Sequence, residues 1–160
     1  MVKLLRVDER LLHGQVALNW VRHIGTSLIL IANDEVADNE MSKMALKLAK
    51  PNDVKLSIRD IAGAVEMLND PRSNDMVIFV IVRTIEDALK LVQMIGKVPI
   101  VNVGGVKKKA GAKFIAPAVF INDDDIKNLR ELEKLVDTVE FRMLPADSPK
   151  SVDNISKDGK

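Results

Sequence analysis

Apolar segments rich in valine and isoleucine alternate along this chain with segments whose apolar residues recur every three or four positions. The first kind of segment is typical of β-strands, and the second is typical of amphipathic helices. Segments 28–31 and 77–82 contain no polar residue, which is the pattern of central strands in a parallel sheet that is covered on both faces. Strands are predicted over 2–7, 27–32, 54–58, 76–82, 99–103, 119–121 and 139–143.

The helical segments have recognisable ends. Gly25 lies where a C′ glycine stops the first helix. Asn39 caps another helix, which must end before Pro51 because a residue that precedes proline disfavours helical backbone. The methionines of that helix, Met41 and Met44, are predicted to pack in the core. Further helices are predicted to begin after Asp60, Thr84 and Asn122.

This alternation predicts an α/β domain with an open, mainly parallel sheet of about seven strands and helices on both faces. The crossovers are expected to be right-handed, and a ligand site is expected beyond the carboxyl ends of the strands. We predict one domain over residues 1–146. The polar tail, residues 147–160, is expected to fray beyond its first residues.

Composition narrows the classes of function. The chain has 160 residues and 47% hydrophobic content, which fits one compact domain. It has no cysteine, which excludes disulfides and thiol nucleophiles, and its two histidines argue against a multi-histidine metal centre. A formal net charge of +1 gives no support for a nucleic-acid partner. Without an apolar run of membrane-spanning length or a signal-peptide pattern, a cytoplasmic protein is expected.

The strongest chemical signal is the segment Arg6-Val7-Asp8-Glu9-Arg10-Leu11-Leu12-His13-Gly14-Gln15-Val16. It places a lone histidine where the turn after the first strand meets the start of a helix. The unpaired N–H groups and the positive dipole end of a helix start favour an anion and disfavour imidazolium. His13 is therefore a candidate nucleophile, a neutral imidazole that accepts a phosphoryl group.

The residues around this histidine suggest how a phosphoryl group is held. The backbone N–H groups of Gly14, Gln15 and Val16 are predicted to bind phosphoryl oxygens, and the missing side chain of Gly14 lets the backbone approach a ligand closely. Arg10 is predicted to offset charge on the transferring group, because phosphoryl transfer depends mainly on positioning and electrostatic stabilisation.

The acidic residues of the segment need partners. Unpaired carboxylates beside a phosphate repel it, so Asp8 and Glu9 are expected to pair with arginine or to turn away from the site. Asp8 is predicted either to orient Arg10 or to fix the tautomer of His13 by accepting a hydrogen bond. Arg6 has a supporting role or a purely structural one.

Other interpretations of these residues stay open. In a noncatalytic phosphate- or nucleotide-binding α/β module, His13 would only hydrogen-bond the ligand, and a regulatory domain without transfer activity is a third class. The run Lys107-Lys108-Lys109 lies at the same predicted edge of the sheet, beyond the carboxyl ends of the strands. It is either part of a solvated loop or a positively charged segment that attracts acidic partners. Segment 105–113 lacks the spacing of a phosphate-binding loop, and no dinucleotide-binding glycine motif follows the first strand.

Block 8–16 is the most specific of several segments that point to one known family. The others are Ala32-Asn33-Asp34-Glu35, Glu86-Asp87-Ala88-Leu89, 102–105 and Leu144-Pro145. Together, from Arg6 to about Pro145, the chain resembles the mannose/fructose/sorbose-family enzyme IIB subunits of the phosphoenolpyruvate-dependent sugar phosphotransferase system (PTS).

The resemblance implies a phosphohistidine–sugar phosphotransferase. His13 would accept phosphate at Nδ1 from a phosphohistidine of a IIA protein or domain, and Arg10 would assist the transfer. The phosphate would then pass to a sugar that enters through the membrane subunits IIC and IID, with the chain peripheral to that permease. No metal or organic cofactor is implied. The sequences of segments 102–104 and 8–10 favour the family members that act on hexosamines such as N-acetylgalactosamine. The lysines at 107–109 differ from the sequences of those members.

Overall fold

The computed structural model describes residues 1–158, which adopt an α/β fold. The strands are β1 (Val2–Asp8), β2 (Leu28–Ala32), β3 (Lys55–Arg59), β4 (Ile78–Val82), β5 (Ile100–Gly105), β6 (Lys113–Ala116), β7 (Val119–Ile121) and β8 (Thr138–Phe141). The helices are α1 (Gly14–Ile24), α2 (Asp34–Ala37), α3 (Glu40–Ala49), α4 (Ile61–Asn69), α5 (Ile85–Ile95), α6 (Asp123–Leu135) and α7 (Val152–Asp158), with a short 3₁₀ turn over Pro71–Ser73.

Six of the strands form one sheet in the order β3-β2-β4-β1-β5-β8, and every neighbouring pair is parallel. The predicted mainly parallel α/β fold is therefore confirmed. The chain leaves β1 toward β2 on one side of the sheet and leaves β5 toward β8 on the other. The carboxyl ends of β1 and β5 consequently border a crevice of the kind in which open α/β sheets bind ligands.

The remaining two strands correct the predicted strand count. The strand predicted at 119–121 exists, but it pairs antiparallel with β6 and lies outside the main sheet. Strand β6 lies outside the predicted strands: its Lys113 and Phe114 are exposed, and its Ile115 and Ala116 are only partly buried. The hairpin is fastened to the end of β5 through hydrogen bonds from Val106 N to Ala118 O (2.8 Å) and from Phe120 N to Val106 O (3.1 Å).

Side chains alternate across the sheet and pack into two cores. On β2, Leu28 and Leu30 belong to the core shared with α4, α5, α6 and α7, while Ile29 and Ile31 belong to the core shared with α1, α2 and α3. Both faces of the central strands are therefore covered. That covering explains why the sequence of β2 is continuously apolar rather than alternating.

The C-terminal segment is more ordered than its polar sequence suggests. Helix α7 buries Val152 and Ile155 in the core of the α4–α7 face. Phe141 and Lys150 exchange two backbone hydrogen bonds, at 2.8 and 3.0 Å, just before this helix. The expectation that the tail frays is wrong as far as Ile155, because two apolar side chains three residues apart anchor it. The last two residues of the tail lie outside the described residues.

Helix α3 shows an unexpected orientation. Met41, Met44 and Leu48 are 85%, 65% and 84% exposed, whereas Leu46 is buried. The prediction that the two methionines pack in the core is therefore wrong. The helix lies over the β2–β3 edge of the sheet and has room to bury only the narrow side that carries Leu46.

Within the described residues, no helix is long and apolar enough to span a membrane.

The two leucines of α3 provide a matched test of this orientation. Leu46→Ala should lower the free energy of unfolding by about 2–4 kcal/mol, because it empties a packed position. Leu48→Ala is the same substitution in the same helix but at an exposed position, so it should change the free energy of unfolding by less than about 0.5 kcal/mol. Urea unfolding measures both values. Equal losses for the two variants would contradict the orientation of α3.

Candidate functional site

Strand β1 carries two charged side chains into the interior. Leu4, Arg6 and Asp8 lie on the face of β1 that α1 covers, because alternate residues of a strand share a face. Arg6 is 2% exposed and Asp8 is 3% exposed. Burying an unpaired charge costs several kcal/mol, so both residues need partners inside the fold.

The Asp8 carboxylate contacts three groups. Its Oδ2 accepts a hydrogen bond from Arg6 Nη2 at 3.2 Å and lies 3.1 Å from His13 Nε2. Its Oδ1 accepts from the backbone N–H of Arg10 at 3.0 Å. Because a carboxylate paired with a guanidinium acts as an acceptor, we assign the Nε2–H tautomer to His13. The Nδ1 atom then keeps its lone pair, and it has no hydrogen-bond partner among the described residues.

The Arg6 guanidinium is enclosed by polar and aromatic groups. Its Nη1 donates to Asn102 Oδ1 at 2.5 Å and to Arg142 O at 3.3 Å, and its Cζ lies 5.5 Å from the centre of the Trp20 ring. Burial lowers the pKa of Arg6, and the Asp8 carboxylate opposes this shift. Arg6 is thus the buried partner of Asp8 rather than a residue at the surface of the site.

The hydrogen bonds of Arg6 extend through Asn102 toward β8, the edge strand next to β5. The sequence did not assign the residues on this path to the site. Asn102 Nδ2 donates to Glu140 Oε2 and to Arg142 O, both at 3.1 Å. Arg142 Nε lies 2.7 Å from Glu140 Oε2 as an ion pair, although its N–H is not aligned for a hydrogen bond. The available signals were polar residues inside predicted strands: Asn102 between Val101 and Val103, and Glu140 between Val139 and Phe141.

Trp20 of α1 covers this network. Its ring centre lies 5.2 Å from Arg142 Cζ and 5.5 Å from Arg6 Cζ, which are distances at which a guanidinium interacts with an aromatic ring. The indole Nε1 donates to Met143 O at 2.8 Å. Trp20 is buried. Its contacts, however, fix charged groups beneath the site.

Two glycines at the end of β5 make room for the buried ion pair. A Cβ atom on Gly104 would overlap the Arg6 guanidinium, and one on Gly105 would lie 2.9 Å from Asp8 Oδ1. The strands are paired here, with Asp8 opposite Gly105. Side chains on β5 would therefore displace the charged groups of β1.

The loop between β1 and α1 turns sharply to deliver His13. Leu11 has a φ of 56° and Gly14 a φ of 49°, both in the left-handed region. Glycine adopts such angles without steric cost, and a Cβ on Gly14 would meet no atom within 4 Å. The backbone angle, rather than crowding, therefore requires glycine at this position. Leu11 is held in its left-handed conformation by burial in the core beneath α1.

His13 is the N-cap residue of α1. Its backbone is extended, with φ −150° and ψ 138°, and no side chain of the described residues caps this helix. Helices α3, α4, α5 and α6 each have a side-chain N-cap. The first backbone hydrogen bond into α1 runs from Ala17 N to His13 O at 3.3 Å. The N–H groups of Gly14, Gln15 and Val16 therefore lack intrahelical acceptors.

A small pocket of about 90 Å³ lies at the crevice between β1 and β5, and His13, Arg10 and Val16 are among the residues that line it, whereas Gly14 and Gln15 are not. The His13 side chain is 24% exposed there. The Arg10 side chain is exposed beside it and has no ion-pair or hydrogen-bond partner within the described part of the chain. The structure thus brings His13 and Arg10 to one pocket, with Asp8 and Arg6 directly beneath them.

Arg83, Thr84 and His23 have structural roles. Arg83 Nη1 pairs with Glu35 Oε2 at 3.2 Å, and Thr84 caps α5. His23 is exposed on α1 and packs edge-on against Trp20, with ring centres 5.8 Å apart. In the described residues, no group of three histidine, aspartate or glutamate side chains could hold a metal ion.

Comparison with known proteins identifies relatives over the whole chain. The family described as the PTS system sorbose subfamily IIB component matches residues 2–160. A probable phosphotransferase enzyme IIB component from Streptococcus pyogenes serotype M6 is 36% identical over 154 residues, covering 92% of this chain and 94% of that protein. The mannose-specific EIIAB component of Escherichia coli K12 is 30% identical over 158 residues, which are 98% of this chain and 49% of that protein.

A solved structure agrees with these sequence relatives. The IIBSor domain of the sorbose permease from Klebsiella pneumoniae superimposes with a TM-score of 0.92 and 28% identity. The match covers 100% of this chain and 98% of that domain. Sequence and fold therefore place the chain among the same group of proteins.

Gly104 offers a direct test of the buried ion pair. Gly104→Ala should lower the free energy of unfolding by about 2 kcal/mol, because the new methyl group displaces the Arg6 guanidinium. It should also change the fluorescence of Trp20, the single tryptophan of the chain. Gly111→Ala, at a left-handed position in open space, serves as control, with a loss of about 1 kcal/mol and unchanged fluorescence. Identical behaviour of the two variants would contradict the packing of Gly104 against Arg6.

Proposed function

We propose that this chain, which belongs to the sorbose subfamily of PTS IIB components, carries a phosphoryl group on His13 from a IIA phosphodonor to a sugar. The observation that carries the proposal is the hydrogen bond between His13 Nε2 and Asp8 Oδ2 at 3.1 Å. It leaves Nδ1 as the nucleophilic nitrogen, in a pocket that also contains Arg10. The chain has no cysteine that could carry the phosphate instead.

The proposed reaction has two displacements at phosphorus. In the first, the Nδ1 lone pair of His13 attacks the phosphoryl group on the donor histidine. The donor P–N bond breaks, and its electron pair returns to the donor imidazole. In the second, a sugar hydroxyl oxygen attacks the same phosphorus, the P–Nδ1 bond breaks with its electron pair returning to Nδ1, and the hydroxyl proton passes to water. Throughout both steps, His13 Nε2 keeps its proton and donates it in the hydrogen bond to Asp8.

The surrounding groups stabilise charge during both steps. Arg10 offsets the charge on the transferring oxygens, and the N–H groups of Gly14, Gln15 and Val16 donate hydrogen bonds to them. The Asp8 carboxylate repels the phosphoryl group little, because Arg6 neutralises it at 3.2 Å. No metal or organic cofactor takes part in this proposal, since the phosphoryl group arrives on an activated P–N bond.

The partners follow from the family. We propose a cytoplasmic protein, peripheral to a IIC/IID sugar permease, that receives phosphate from a separate or fused IIA protein. The hexosamine assignment stays a prediction, with N-acetylgalactosamine as the first sugar to test. Asn102, one of the residues that suggested it, is fully buried against Arg6 and cannot contact a sugar directly.

Phosphate labelling tests the role of His13. With phosphoenolpyruvate, the general PTS proteins and a competent IIA, the wild-type protein should acquire an acid-labile, alkali-stable label. His13→Ala should acquire none, whereas His23→Ala should be labelled like the wild type. Circular dichroism checks that each variant is folded. An unlabelled wild-type protein with several competent IIA partners would instead support a noncatalytic phosphate-binding module.

The role of Arg10 is tested by a variant that keeps its charge. Arg10→Lys should slow transfer to and from His13 by about 10-fold without loss of stability, because an ammonium cannot replace the planar two-point contact of a guanidinium. Arg22→Lys, an exposed arginine in the last turn of α1, is the control and should transfer normally. Rapid-quench measurement of the phosphorylated protein gives the rates. Unchanged rates in Arg10→Lys would remove Arg10 from the mechanism.

A further inference from the structure

The loop that follows β5 brings three lysines close to the His13 pocket. Gly105, which lines that pocket, accepts a hydrogen bond from Glu9 N at 3.1 Å, so the base of this loop is tied to the loop before α1. Val106 is then fixed to the β6–β7 hairpin by two backbone hydrogen bonds. The lysine run begins at Lys107, directly after this fixed base, and the position of the run relative to His13 is therefore defined.

The three lysines differ in what they contact. Lys109 Nζ forms an ion pair with Asp125 Oδ2 at 2.5 Å. Asp125 also closes the capping box of α6, so Lys109 anchors the loop to that helix. Lys107 and Lys108 are exposed and have no ion-pair partner within residues 1–158. Two lysines of the run are thus held beside the site with their charges uncompensated.

The three lysines form one side of a large open cleft of about 850 Å³ next to the His13 pocket. Its acidic residues fall into two groups. Glu35, Glu86 and Asp125 are paired with Arg83, Lys90 and Lys109, respectively. Glu9 at the pocket edge and Asp124 at the start of α6 are unpaired within the described residues and give the cleft some negative charge.

Unpaired positive charge therefore gathers on the His13 side of the cleft. The exposed Arg10 borders the His13 pocket, while Lys107 and Lys108 follow Gly105 at its edge. Asp124 lines only the larger cleft, at the start of α6 beside the Lys109–Asp125 ion pair. Near the His13 pocket, the three positive side chains of Arg10, Lys107 and Lys108 outnumber the one unpaired carboxylate of the described residues there, Glu9, so a protein with an acidic face would be attracted to this region.

We propose that Lys107 and Lys108, together with Arg10, form the docking surface for an acidic face of the phosphodonor protein. This inference rests on the proposed function and adds to it the surface by which the donor is recognised. Solvent-exposed charges of this kind act on the rate of encounter more than on the chemical step. Lys107 and Lys108 are therefore recognition residues that do not touch the phosphoryl group.

The salt dependence of transfer provides the test. The double variant Lys107→Glu/Lys108→Glu should lower the second-order rate constant for transfer from the phosphorylated IIA protein by about 10-fold or more at low ionic strength. At about 0.5 M salt the deficit should shrink several-fold, because charges on exposed side chains are screened. The maximal rate at saturating donor should be unchanged.

A matched double variant distinguishes an effect of where the charge lies from an effect of the protein's net charge. Lys55→Glu/Lys97→Glu makes the same change of charge at exposed positions near the amino ends of β3 and β5, away from His13. It should transfer at the wild-type rate. Titration with unphosphorylated IIA, by calorimetry, should show weaker binding for the Lys107/Lys108 variant only.

The outcomes distinguish this inference from the function on which it rests. Loss of labelling in His13→Ala together with equal low-salt rate constants for the wild type and the Lys107/Lys108 variant would overturn the docking surface alone. A lower maximal rate at every salt concentration would also overturn it, since the lysines would then act on the chemical step. Labelling of His13→Ala would overturn the proposed function. Calorimetric binding to IIA would then decide the docking surface separately.

Discussion

The ion pair between Arg6 and Asp8 is the constraint around which the rest of the site is arranged. Both charges lie inside the fold, where each would cost several kcal/mol without compensation. The compensation comes from Asn102 and the carbonyl of Arg142, from the face of Trp20, and from two glycines that leave room on β5. The sheet order makes this possible, because it places β1 between β4 and β5.

The same pair connects the fold to the proposed chemistry. A carboxylate beside a phosphoryl site is unfavourable unless its charge is neutralised, and Arg6 does this from below. Asp8 is then free to hold His13 by Nε2 while its other oxygen fixes the backbone of Arg10. The start of α1, which no side chain of the described residues caps, adds unpaired N–H groups at the same point. A nucleophile, its orienting group and anion-stabilising groups thus converge at the carboxyl end of one strand.

The sequence predicted those parts that depend on local pattern. Continuous apolar runs indicated a parallel sheet covered on both faces, and the position of His13 between a strand and Gly14 indicated a helix start. The partners of Arg6 could not be found in this way, because Asn102 lies 96 residues away, Glu140 lies on β8 and Arg142 directly follows that strand. The predicted burial of the α3 methionines is wrong because the larger apolar stripe of that helix faces solvent, and periodicity alone does not say which side a helix buries. The buried anchors of α7 were similarly hidden in a polar segment.

The most direct test of this account is the ¹⁵N NMR spectrum of the His13 ring before and after phosphorylation. We expect an Nε2–H tautomer in the free protein and, in the phosphorylated protein, a ³¹P–¹⁵N coupling to Nδ1. The Asp8→Asn variant should lose the preference for the Nε2–H tautomer, since an amide carbonyl is a weaker acceptor than a carboxylate. A wild-type Nδ1–H tautomer, or a phosphoryl group on Nε2, would contradict the claim that Asp8 orients His13 for phosphoryl transfer.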